Sequence, residues 1–137
     1  MTANLAPTDD GRCFACGPHN ADGLHLHFEP HGDDGAQTFV TLPPRLQGYR
    51  EIAHGGIVMM LLDEVMAHAC RFINEKAMTA SVDVRFRLPV PLGKLLTVRG
   101  RYKERRRNFL YLEASVALDD TPLATATGTF VSLGLLA

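Results

Sequence analysis

Residues 54–74 read HGGIVMMLLDEVMAHACRFIN, and how that stretch has to be housed decides the fold. From Ile57 to Ile73 it contains no proline or glycine and is dominated by Met, Leu, Ala and Glu. Those are good helix formers, so the run predicts one helix of about four to five turns. Gly55 and Gly56 stand just ahead of it, where helix amide hydrogens are unpaired and a bare backbone permits close approach. Ile57, Val58, Met59, Met60, Leu61, Leu62, Val65, Met66, Ala67 and Ala69 then point in nearly every direction around the axis. A surface helix keeps a polar half; this one has to be wrapped by protein on almost all sides.

Two acids, Asp63 and Glu64, are set into that helix. Adjacent helix positions diverge by roughly 100°, so the two face different surroundings. Glu64 has His68 four residues on and Arg71 seven residues on, a charged stripe that water can reach. Asp63 shares its face with Gly56, Met59, Met60, Met66, Ala67 and Cys70, with no base among them. Burying a carboxylate there is costly and raises its pKa, which marks Asp63 as a candidate functional group. Helix physics alone leaves a second reading open, a structural acid held by donors from a neighbouring strand.

The chain has 137 residues, with 14 Lys and Arg against 15 Asp and Glu. That length makes one domain, here a flexible tail over 1–11 followed by a single folded unit over 12–137. Balanced charge gives no field for nucleic acid or for an anionic membrane. No apolar run reaches the ~20 residues of a membrane span, and MTANLAPTDD is too polar for a signal peptide. Three cysteines leave no complete pairing, so a cytoplasmic location is expected.

Along the chain, Gly23–Glu29 alternates Leu24, Leu26 and Phe28 against His25, His27 and Glu29 and predicts a half-buried strand. His31–Gly35 reads as a turn and Gln37–Leu42 as a second strand closed by Pro43-Pro44. Four more strands follow at roughly 79–89, 94–104, 109–119 and 122–133, and their short separators predict that successive strands are antiparallel neighbours. Ala124, Ala126 and Gly128 give the last strand a face small enough for a helix to lie close. One early helix with about six strands, most of them late, is an α+β arrangement with the sheet curved round the helix.

Cys13-x-x-Cys16, with His19, His25, His27 and His31 nearby, invites a zinc reading. The spacing matches no known finger and no second Cys pair exists, so a structural turn with surface histidines is favoured and no metal or cofactor is expected. The other concentration of charge is Arg99, Arg101, Lys103, Arg105, Arg106 and Arg107. It reads either as a solvated strand face or as an anion-attracting patch, with Arg well suited to phosphate. No aromatic stacking pattern accompanies it, which disfavours nucleic acid.

His54-Gly55-Gly56, the apolar run and Leu62-Asp63-Glu64 together resemble the helix of the PaaI-like hotdog-fold acyl-CoA thioesterases. The similarity extends upstream to Gln47-Gly48-Tyr49 and downstream through Thr79-Ala80-Ser81-Val82-Asp83-Val84-Arg85-Phe86 and Pro89-Val90-Pro91-Leu92-Gly93. Tyr49-Arg50-Glu51 stands where relatives more usually carry an aromatic-Pro-Gly lead. The resemblance implies hydrolysis of an acyl-CoA thioester in a homo-oligomer, a dimer or dimer of dimers, with the site at the subunit interface. It assigns Asp63 as general base or nucleophile and the Gly56 N–H, with Gly55, as the oxyanion hole at the positive helix end. His54 would orient substrate or hold the loop, Thr79 would position the attacking water, and Gln47 would lie near the thioester. Arg105, Arg106 and Arg107 would attract the phosphates of coenzyme A. Two alternatives stand beside this one. A non-catalytic acyl-CoA-binding module has no need of Asp63, and a hotdog hydratase or dehydratase places a Pro-Gly loop, not Gly-Gly, by its histidine.

Overall fold

A computed structural model describes residues 7–136; of the tail expected over 1–11, residues 1–6 lie outside the described residues. The elements in chain order are β1 (Glu29–His31), β2 (Gly35–Thr41), a 3-10 turn over Pro44–Leu46, α1 (Gly55–Phe72), β3 (Glu75–Phe86), β4 (Leu95–Arg106), β5 (Phe109–Leu118) and β6 (Thr121–Leu135). The strands form one antiparallel sheet in the order β1-β2-β4-β5-β6-β3. Helix α1 packs against β2, β3, β4, β5 and β6. Five strands set ~4.8 Å apart span about 19 Å, nearly twice the ~10 Å width of a helix, so the sheet has to curl to touch α1 with all five. This is the hotdog arrangement, an α+β fold with the helix laid in the concave face of the sheet.

Small residues allow that closeness. A Cβ on Gly100 would lie 3.1 Å from Val65 Cγ1 and 3.2 Å from the Val65 carbonyl, and one on Gly128 would lie 2.8 Å from Met66 Sδ. Strands β4 and β6 thus lie directly against the helix, as the small face of Ala124, Ala126 and Gly128 predicts. Val58, Leu61, Leu62, Val65, Met66, Ala69 and Cys70 are the buried helix residues. The stripe through Gly56, Met59 and Asp63 is not covered: Met59 is 45 % exposed and Asp63 only half-buried. The expectation of burial on almost all sides therefore fails for one chain alone. Among the described residues no helix is long and apolar enough to cross a membrane.

Two strand expectations are corrected. Residues 24–28 form no strand, although Leu26 and Phe28 are buried as the alternation requires. Leu24 and Leu26 donate their N–H groups to Phe14 and Ala15 of the preceding turn, and His25 adopts φ +52°, so pairing starts only at Glu29. Nor are β3 and β4 neighbours: β3 pairs with β6 at one edge, while β4 lies between β2 and β5. The link between them spends its backbone elsewhere. Arg87 and Leu88 N–H donate to Leu123, Leu92 N–H to Glu51 and Gly93 N–H to Leu42, while the Val90 carbonyl accepts from Ala53. A segment so engaged crosses the end of the sheet instead of folding back as a hairpin.

Candidate active site

Asp63 and Thr79 meet at the free edge of the sheet. Thr79 Oγ1 donates to Asp63 Oδ1 at 2.6 Å, joining α1 to β3. The contact depends on an irregularity in β3. Thr79 pairs with Phe130 and Ser81 with Thr129, which leaves Ala80 as an extra residue in the ladder. Such a bulge resets the alternation of faces. Beyond it Val82 and Val84 turn toward the core; strict alternation from them would send Thr79 to the opposite face. The bulge returns its hydroxyl to the helix. Burial raises the Asp63 carboxyl above the ordinary carboxylate range and the charge of Glu64 adds to this, while the Thr79 hydrogen bond opposes it. A carboxylate poised this way is a stronger base than one in water.

The helix start is organised by His54. Its Nδ1 accepts the Gly56 N–H at 2.9 Å, and its own N–H donates to Leu46. The Gly55 N–H has no acceptor among the described residues. Close packing does not demand either glycine. A Cβ on Gly55 would only touch the Phe86 ring at 3.7 Å, and one on Gly56 would meet only the His54 ring, at 3.1 Å. Both are exposed, and Gly55 borders a crevice of about 240 Å³ lined by Ile52, Val58, Phe86, Leu88 and Val90. Gln47 serves the loop before them: its Oε1 accepts the Glu51 N–H at 3.0 Å. Glu51 has φ +62°, the left-handed backbone that a glycine adopts freely. The departure from an aromatic-Pro-Gly lead thus keeps the glycine-like turn and holds it through Gln47.

Glu64 faces the other way. His68 Nε2 lies 3.2 Å from Glu64 Oε1, and Cys13 Sγ lies 3.8 Å from the same oxygen. Burial alone would raise the Glu64 carboxyl, but hydrogen bonds from His68 and the two thiols outweigh it and the net direction is downward. Arg71, the other sequence partner of Glu64, pairs instead with Asp9 at 3.5 Å. The meeting of Cys13 and Cys16 with Glu64 had no sequence signal, because 51 positions separate Cys13 from the acid.

The basic cluster is divided by its partners. Arg99 donates to Gln37 at 2.9 Å, Arg101 and Lys103 share Glu113, and Arg106 reaches Glu104 at 3.5 Å. Arg105 forms an ion pair with Glu75, a carboxylate only 5 % exposed. Arg107 has no acid partner among the described residues. Arg105→Ala is expected to destabilise the fold by about 1–2 kcal/mol, because it strips a buried acceptor of its charged donor while the 43 % exposure of Arg105 screens part of the loss. Urea unfolding measures this, and an unchanged midpoint would remove the pair from the stability of the sheet.

The family model for the thioesterase superfamily matches residues 51–125, more than half of the chain. The chain belongs to the thioesterase superfamily. Acyl-coenzyme A thioesterase THEM4 of Bos taurus is 29 % identical over 117 residues, 82 % of this chain and 48 % of that protein. The superfamily member described here thus spans about half the length of that curated relative. Among solved structures, another thioesterase superfamily protein superposes with a TM-score of 0.84 at 27 % identity, covering 88 % of this chain and 63 % of that one. The PaaI protein of the E. coli phenylacetic acid degradation operon shares the fold, with a TM-score of 0.75 at 18 % identity over 82 % of each chain.

Proposed function

We propose that the chain hydrolyses the thioester of an acyl-CoA, with Asp63 as the base that activates water or as the nucleophile. The observation that carries this is the half-buried Asp63 carboxylate with the Thr79 hydroxyl on it at 2.6 Å, at an uncovered edge of the fold. While that hydroxyl donates to Asp63, its lone pairs remain free to accept from a water. As base, Asp63 takes a proton from this water as its oxygen bonds to the acyl carbon. The C–S bond then breaks, and coenzyme A leaves as thiolate to be protonated. Negative charge on the acyl oxygen falls to a helix N-terminus, where Gly55 N–H is free and Gly56 N–H becomes available when His54 turns away. The apolar crevice beside Gly55 suits an acyl or pantetheine chain. A fold neighbour from Streptococcus pneumoniae, 17 % identical with a TM-score of 0.76 over 82 % of this chain and 91 % of that one, was solved with coenzyme A. Structures exist of that protein with an aspartate and with a threonine replaced by alanine, sixteen positions apart, the separation of Asp63 and Thr79 here.

Two copies complete the site in this reading. Seven residues of helix place Gly56 about 10 Å along the axis from Asp63. With Asp63 as direct nucleophile, a single carbonyl, attacked from ~3.3 Å and bound by a donor at ~2.9 Å, bridges only about 6–7 Å. A two-fold partner removes the difficulty by setting its own glycine against this Asp63. It would also cover the Met59 stripe and the open edge of β3, where Met78 and Phe86 are about half exposed.

Release of free thiol from a panel of short, long and aryl acyl-CoAs tests the activity; no release from any of them would leave a binding module. Thr79→Ala is expected to slow turnover about tenfold with little change in KM, and Thr79→Ser to restore most of it, since the hydroxyl alone is required. Equal rates for the Ala and Ser variants would take the hydroxyl out of the reaction. Of Arg105 and Arg106 at the end of β4 and Arg107 in the turn after it, Arg107 carries the expectation of phosphate binding. Arg107→Ala should raise KM and flatten its salt dependence with turnover unchanged, because a contact far from the thioester binds ground and transition states alike. An unaltered KM would return it to the solvated surface.

A further inference from the structure

We propose that Cys13, Cys16 and Glu64 form a binding site for one thiophilic divalent cation of the zinc(II) class. The two sulfurs and a Glu64 carboxylate oxygen all lie within 4.8 Å of one another, and Cys13 Sγ is 3.8 Å from Glu64 Oε1. Zinc–sulfur bonds of ~2.3 Å and zinc–oxygen bonds of ~2.1 Å set tetrahedral edges of about 3.6–3.8 Å, so shifts of an ångström or less complete three corners. A water takes the fourth. The sulfurs select against magnesium and calcium, which require oxygen.

The donors are held before any ion arrives. Gly17 N–H donates to the Cys13 carbonyl at 2.8 Å, closing a one-turn knuckle that carries both sulfurs. Only glycine fits after the second cysteine, since a Cβ there would lie 2.3 Å from the Cys13 nitrogen. Leu24 and Leu26 pin the far side of the turn through the Phe14 and Ala15 carbonyls. Glu64 is steadied by His68, whose ring stacks on Phe28 with centroids 4.1 Å apart at 9°. Carboxylates that ligate metals are themselves commonly held by an outer hydrogen bond of this kind. The histidines of the sequence reading, His19, His25, His27 and His31, are not in this group of donors.

The cluster opens on a cavity of about 600 Å³, which supplies a path for the ion. Two thiolates, a carboxylate and a dication leave one net negative charge. Arg12, Arg71 and Lys76 line the same cavity to balance it, with Asp9 engaged by Arg71 and Asp10 accepting the Arg12 backbone N–H. Binding sends the two thiol protons to solvent and moves no electrons. The cation would tie residues 13–16 to α1 at the residue next to Asp63, on the side of the helix turned away from the thioester.

The test uses the full-length, reduced protein with cobalt(II) and zinc(II). The wild type should bind one equivalent of cobalt with a thiolate-to-metal charge-transfer band and tetrahedral visible bands, and zinc should bleach them. Zinc should raise the wild-type Tm. The Cys13→Ser, Cys16→Ser double variant should lose the charge-transfer band, and Glu64→Gln should bind at least about tenfold more weakly. A wild type with no charge-transfer band and no Tm response to zinc would overturn the site, as would unchanged affinity in Glu64→Gln. Because the wild-type spectrum and the Glu64→Gln affinity decide the matter, the outcome stands even where the cysteine variant does not fold.

Discussion

Asp63→Asn is expected to lower turnover by at least about a hundredfold, the low end for loss of a positioned base, while the folded protein becomes no less stable. The amide keeps the shape of the side chain and still offers an oxygen to the Thr79 hydroxyl, which donates to Asp63 Oδ1 at 2.6 Å. It removes the negative charge that burial disfavours and that Glu64 repels. Tm should therefore hold or rise as activity collapses. Glu64→Gln should do the reverse. Its carboxylate accepts from His68 and two thiols, so the amide disturbs a satisfied cluster and lowers Tm, with a much smaller effect on turnover. A folded Asp63→Asn variant with a near-normal rate would take Asp63 out of the mechanism and leave Glu64 or His54 to be tried next.

Mixing two inactive variants is expected to create activity. If the glycine of one copy serves the aspartate of its partner, Asp63→Asn and Gly56→Pro chains are each dead alone, for different reasons. Proline is the useful replacement because it removes the N–H while remaining tolerable in the first turn of a helix. A heterodimer of the two has one site in which both groups are lost and one in which both are intact. Random pairing of equal amounts makes half of all dimers mixed, so about a quarter of wild-type activity should return from two preparations each near one per cent. Light scattering at micromolar concentration should show a dimer or larger for wild type and variants alike. A 15.0 kDa monomer would refute the shared site directly. Intact dimers with no recovery on mixing would place Gly56 and Asp63 in the same copy.

The helix and the strand content were legible because they are written as periodicities. An apolar run without breakers has few forms open to it, and Val82, Val84 and Phe86 alternate as a strand must. What escaped was set by partners distant along the chain. The short link after β3 looks like a hairpin, yet its N–H groups are taken by Glu51, Leu42 and Leu123, which no local pattern reveals. Residues 24–28 alternate like a strand because one side is buried, but their partners are a turn. In the site, the resemblance points to Thr79 but not to its face, since period-two reading places it away from the helix. The Cys13, Cys16 and Glu64 cluster lay wholly beyond reach, because no local pattern ties an acid on the helix to a cysteine 51 positions before it.

The unpaired residue at Ala80 has a consequence for how such chains diverge. Each residue before it presents the face that it would hide in an unbroken ladder, so the orientation of the Thr79 hydroxyl toward Asp63 rests on a single extra codon. Loss of that codon would leave composition and sheet order almost untouched while turning the hydroxyl outward, together with Ala77 and Glu75. If the proposed reaction holds, a thioester hydrolase and an inert binder of the same shape stand one in-frame deletion apart, with Asp63 and Thr79 both still spelled in the gene. Alignments that score residue identity and treat a one-residue gap as minor would group the two together; the gap itself would be the informative character.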